Sequence, residues 1–136
     1  MRPGKPLIQV LAVGAVLIML ALVLSPSSAT PSSAVSGVSR TLTDLGAPPW
    51  LADDDLWERA LNVLLFVPVG VIGVLVMPRW PWLRWALVGF LISGCIELFQ
   101  GVVLPARDAS VSDILTNTLG AGLGAWVTTR VMARRR

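Results

Sequence analysis

The chain has 136 residues, 54% of them apolar and 14% charged, with no histidine, one cysteine and a net charge of +3. That length holds one domain at most, and a soluble domain carries roughly a quarter charged residues, so the composition is that of a membrane protein. Cys95 alone forms no internal disulfide, and without histidine the usual zinc and haem ligand sets are missing, so neither metal nor cofactor is expected.

A helix needs about 20 apolar residues to cross a hydrocarbon core of ~30 Å. The first such stretch runs from about Leu7 to Leu24 without a charge. Arg2 and Lys5 before it and Ser27-Ser28-Ala29 after it also fit a secretory signal peptide, although its apolar run exceeds the usual ~7 to 15 residues. A retained helix gives four spans and a cleaved one gives three. Residues 25–59 follow as an extracytoplasmic region. From Ser25 to Ser39 it is rich in Ser, Pro, Thr and Ala and reads as an extended loop. Trp50, Leu51 and Trp57 beside Asp53 to Asp55 then read as an interfacial stretch whose aspartates cap the next helix. Residues 60–136 hold the remaining spans, expected over about 60–76, 83–104 and 111–132.

The basic residues gather in alternate segments. Arg2 and Lys5 precede the first helix, Arg79 and Arg84 join the second and third, and Arg130 and Arg134 to Arg136 end the chain. The positive-inside rule therefore places both termini in the cytoplasm, and Trp80, Trp82 and Trp85 form an inner aromatic belt. The basic tail meets anionic lipid headgroups, and no nucleic-acid partner is expected. The chain is thus expected to be an all-α, multi-pass protein of a bacterial cytoplasmic membrane.

Residues three, four and seven apart share a helix face. Each of the last three helices carries one small or polar stripe: Asn62, Phe66, Gly70 and Gly73; then Gly89, Ser93, Glu97 and Gln100; then Asp113, Asn117, Gly120 and Gly124. Small residues let helices approach closely and polar ones bond between them, so the stripes face one another. Gly70, Ser93, Gly120, Gly122 and Gly124 are packing positions, a homo-oligomer through such stripes stays open, and Pro68 kinks the second helix. Glu97 is the costliest of the polar residues, because an ionisable group deep in a bilayer needs compensation. It lies roughly 10 Å below the outer boundary. Asn62, Gln100, Asp113 and Asn117 fall at the same leaflet, with Arg107 in the turn above, which predicts one outward-facing polar pocket. Asp113, three residues after Ser110, has the spacing of a capping box, so capping and ligand binding are equally open for it. Asn117 reads first as an interhelical hydrogen bond, and Arg107 as a partner for Glu97 or Asp113.

The ordered set of Asn62, Phe66-Val67-Pro68-Val69-Gly70, Glu97-Leu98-Phe99-Gln100, Arg107, Asp113, Asn117 and Gly120 resembles the VanZ-like family of bacterial membrane proteins. The family's namesake is associated with resistance to the glycopeptide teicoplanin. Many relatives place an Asp three residues after the Arg, where this chain has Ser110. The resemblance implies a membrane protein linked to glycopeptide tolerance.

Three functions stay open on the residues. In the first, the pocket binds an envelope lipid, a cell-wall precursor or a glycopeptide. There Arg107 holds an anionic group, Glu97 and Asp113 accept from amide or ammonium donors, and Asn62, Gln100 and Asn117 orient them. The second is a membrane enzyme with Glu97 or Asp113 as general base, although no nucleophile motif or phosphate-cradling loop is present. The third is a small proton-coupled transporter, disfavoured by a polar cluster at one leaflet rather than the midplane.

Overall fold

The computed structural model describes residues 29–103 and 110–134, with Val10 and Gly14 alone before them. The expected first span, and with it the choice between a retained helix and a signal, lies outside the described residues. Four α-helices are present: α1 (Ala29–Asp44), α2 (Asp54–Val76), α3 (Trp82–Val103) and α4 (Val111–Arg134), with a 3-10 turn at Pro49–Leu51.

The first helix corrects the expectation of an extended loop from Ser25 to Ser39 over residues 29–39; the first four of that stretch lie outside the described residues. Three of its hydroxyls are satisfied within the helix: Ser39, Thr41 and Thr43 donate to the carbonyls of Val35, Gly37 and Ser39, one turn back, at 3.2, 2.8 and 2.9 Å. A Schellman cap closes it, with Ala47 N–H donating to Leu42 O and Gly46 N–H to Thr43 O, both at 2.9 Å. Gly46 supplies the left-handed conformation this requires, at φ 75°.

The second helix begins six residues before the expected apolar span. Asp53 is its N-cap, accepting from Asp55 N–H at 2.9 Å, and Asp54 and Asp55 occupy the first turn where carboxylates complement the helix dipole. Pro68 lies within this helix, so the Leu64 carbonyl lacks its intrahelical donor. The third and fourth helices match their expected spans to within two residues at each end.

Down-up-down connectivity makes α2 and α4 parallel and α3 antiparallel to both. Helix α4 is central, packing along α2 and α3, while α2 and α3 touch each other far less. The α2–α4 seam is lined by glycine. A Cβ on Gly120 or Gly124 would collide with the carbonyl oxygens of Val63 or Val67, and one on Gly70 with the Ala121 carbonyl oxygen. On the other seam a Cβ at Gly89 would lie 2.5 Å from the Ala121 Cβ. These glycines bring the backbones close enough for dispersion and Cα–H···O contacts to hold helices that hydrophobicity cannot hold in lipid.

Burial runs opposite to that of a soluble protein. Apart from Phe66 and Val74 on α2, the interior of the three long helices consists of small and polar residues, among them Ala86, Gly89, Ser93, Glu97, Gln100, Asn117 and Ala121. The large apolar side chains of α3, among them Leu83, Leu87, Phe90, Leu91, Leu98 and Val102, are exposed, as are Leu115, Leu119 and Leu123 on α4. A continuous apolar exterior of this kind calls for an apolar solvent.

The two ends of the bundle differ. At the α2–α3 turn Trp80 and Trp85 pack with ring centroids 5.2 Å apart, and the Arg84 guanidinium lies 5.6 Å over Trp80. Near the end of α4 Arg130 lies 5.4 Å over Trp126. The polar stripes meet at the opposite end.

Candidate functional site

The polar groups form a column between α2, α3 and α4. At its floor Ser93, fully buried, accepts from Asn117 Nδ2 at 2.9 Å. This is the interhelical bond expected of Asn117, whose Oδ1 is buried without a partner. One turn further along α3, Glu97 is 6% exposed, and its Oε2 accepts from the backbone N–H of Ser110 at 2.8 Å. Gln100 follows on the same face, 9% exposed.

Ser110 is the N-cap of α4. Its hydroxyl oxygen and carbonyl oxygen both accept from Asp113 N–H, at 3.4 and 3.2 Å. In a complete capping box the Asp113 side chain would return to the Ser110 N–H. Here Glu97 takes that place from the neighbouring helix, and Asp113 Oδ1 instead accepts from Asn62 Nδ2 at 2.8 Å. The box is therefore shared between two helices, which leaves the Asp113 carboxylate facing α2. The electrostatic reason is direct: the unsatisfied N–H groups and partial positive charge at a helix start suit a buried carboxylate.

Ser93, Glu97, Gln100 and Asn117 are buried, whereas Asn62, Ser110 and Asp113 are half-buried. Five of the six expected pocket residues thus belong to one face-to-face set; Arg107, the sixth, lies outside the described residues. Ser110 was anticipated only as half of a capping box. Its backbone tie to Glu97 leaves no mark on side-chain chemistry, although an N-cap serine near a buried Glu is a signal in retrospect.

Among the described residues no three Cys, Asp or Glu side chains converge as a metal set. A shallow groove on another face of α3, lined by Leu91, Ile92, Cys95, Ile96 and Phe99, is apolar and separate from the polar column. Chemically the column offers two carboxylates and three amides, suited to hydrogen-bonding and charge recognition.

Two helical spans, Pro49–Val76 counted with its leading turn and Trp82–Val103, are long and apolar enough to cross a membrane. With the inverted burial pattern and the buried carboxylate, they define an all-helical membrane protein. It belongs to the VanZ/LLP1 family, whose model matches residues 11–132. No curated protein and no solved structure matches the chain.

Proposed function

We propose that this chain crosses a bacterial cytoplasmic membrane four times, with both termini inside, and that its polar column opens outward to bind an envelope ligand. The ligand is an envelope lipid, a cell-wall precursor or a glycopeptide, and binding contributes to glycopeptide tolerance in line with the family association. The observation that carries this reading is the Asn117 Oδ1, an amide oxygen buried in the same column as Glu97 and Gln100 with no hydrogen-bond partner among the described residues. A group serving packing alone would be paired or replaced by an apolar one. Asn62 and Asp113 stand at the open end as orienting groups, and Arg107, three residues before the α4 cap, supplies the positive member of the set.

The test is complementation. A strain lacking the protein is scored for glycopeptide and envelope-stress susceptibility with wild type, Glu97→Gln or Gln100→Leu restored. Glu97→Gln keeps an oxygen for the Ser110 N–H while removing the charge, Gln100→Leu replaces the amide by a side chain of similar size, and membrane levels of both variants are matched to wild type. Loss of tolerance at wild-type membrane levels supports the site, and full rescue by both variants overturns it.

A further inference from the structure

The charges of this chain are divided between the two ends of the bundle. All eight Asp and Glu residues fall within 44–58 and 97–113, and residues 59–96 and 114–136, which carry Arg79, Arg84, Arg130 and Arg134, hold none. Along its own helix the nearest acid to Arg84 is Glu97, thirteen residues or about 20 Å away. For Arg130 it is Asp113, seventeen residues or about 25 Å away. The end at which α2 turns into α3 and α4 finishes is therefore cationic without an acidic side chain of its own, whichever part of the sequence is considered.

Two of these arginines are held in the same way. In Trp80–Arg84 and Trp126–Arg130 a tryptophan precedes the arginine by four residues, and each guanidinium carbon lies over the ring, 5.6 and 5.4 Å from its centroid. The negative ring face holds the charge but offers no acceptor oxygen to the five N–H donors of the guanidinium. Trp80 is itself packed on Trp85, with centroids 5.2 Å apart. Tryptophan rings favour the level of the lipid headgroups, so the donors are kept at the depth of the phosphates. Arg84 is the sharper case. It stands in the first turn of α3, where a cation opposes the helix dipole and no acid offsets it, so its own helix does not account for it.

We propose that this end of the bundle is a docking surface for phospholipids of net negative charge, with Arg84 and Arg130 each holding a headgroup phosphate. A guanidinium matches two phosphate oxygens with paired N–H donors. A zwitterionic headgroup carries the same phosphate but sets its own cation beside the arginine, so net charge decides which lipid is retained. Charge bias alone requires no ring beside the arginine; the stacked pairs are what separate docking from diffuse attraction. The surface lies at the opposite end from the polar column and stands whether or not the column binds a ligand.

The full chain is reconstituted in nanodiscs holding equal dioleoylphosphatidylglycerol and dioleoylphosphatidylcholine, and the lipids retained on transfer to detergent are counted by native mass spectrometry. Wild type should retain the glycerol lipid about 10-fold over the choline lipid, the scale of one charge-assisted bond. Arg84 and Arg130 are exposed, so Arg84→Gln and Arg130→Gln leave the packing intact; each should lower the ratio and the pair should bring it to parity. Trp126→Leu, also at an exposed position, changes no charge and should lower the ratio about 2-fold or more by releasing Arg130. Arg79→Gln removes the same charge from the same turn and should lower the ratio distinctly less than Arg84→Gln. Parity in wild type overturns the proposal. Equal losses in Arg79→Gln and Arg84→Gln, or an unchanged ratio in Trp126→Leu, show attraction to net charge alone and overturn it as well.

Discussion

Replacing glycine by alanine at two places in the same bundle separates helix packing from helix propensity. An ideal Cβ on Gly124 would lie 3.0 Å from the Val67 carbonyl carbon and 3.2 Å from its Cα, with the carbonyl oxygen nearer still, whereas ordinary contact begins at 3.4 Å. Every obstructing atom is backbone, so no rotamer relieves the clash and α2 must move off α4. Overpacking of this kind costs about 1 to 3 kcal/mol. A Cβ on Gly94 of α3 meets nothing within 4 Å. Both substitutions gain the same helix propensity, up to ~1 kcal/mol, and that gain cancels in their difference. Gly124→Ala should therefore be less stable than Gly94→Ala by about 1 to 3 kcal/mol, with Gly94→Ala no less stable than wild type. Reversible unfolding in mixed micelles, followed by far-ultraviolet circular dichroism, measures this. Equal stabilities of the two variants would refute the glycine-lined α2–α4 seam.

The tie between Glu97 and the α4 cap predicts that Glu97→Leu, which strands the Ser110 N–H, costs about 1 to 3 kcal/mol in the same assay while Glu97→Gln costs distinctly less; equal losses would contradict the bond. A double-mutant cycle of Ser93→Ala and Asn117→Ala should give a coupling of about 0.6 and at most ~1.7 kcal/mol, and additive losses would show that the pair does not interact. For topology, single cysteines at Asp54 and Arg79 are compared in a Cys95→Ser background with a membrane-impermeant maleimide on intact cells. Asp54→Cys should label and Arg79→Cys should label only after lysis; the reverse pattern would invert the orientation.

The buried faces were legible because spacing alone determines them. Gly89, Ser93, Glu97 and Gln100 all turn inward, as do Phe66, Gly70 and Gly73 on α2 and Asn117, Gly120 and Gly124 on α4. The role of Asp53 as cap was legible for the same kind of reason, a carboxylate just ahead of an apolar run. Two features were not. Helix α1 is rich in Ser and Thr, and Ser39, Thr41 and Thr43 bond to carbonyls a turn back, a local solution that composition reads as loop. The partner of Glu97 is a backbone group, and every residue but proline has one, so the sequence marks Ser110 as a cap without marking it as the partner of Glu97. The expectation that Ser110 and Asp113 form a capping box was half met: the oxygen of Ser110 takes the Asp113 N–H, and a carboxylate thirteen residues earlier completes the pair.

That shared box bears on how the chain enters its bilayer. Synthesis delivers α3 first, with the acid of Glu97 still lacking its backbone donor, and the donor appears only when Ser110 emerges thirteen residues later. A lone α3 would therefore cross the hydrocarbon with its carboxylate uncompensated. Under the proposed four-span topology, the lower-energy course is for α3 and α4 to enter together as a helical hairpin, so that the residue most costly to bury also sets the unit of insertion.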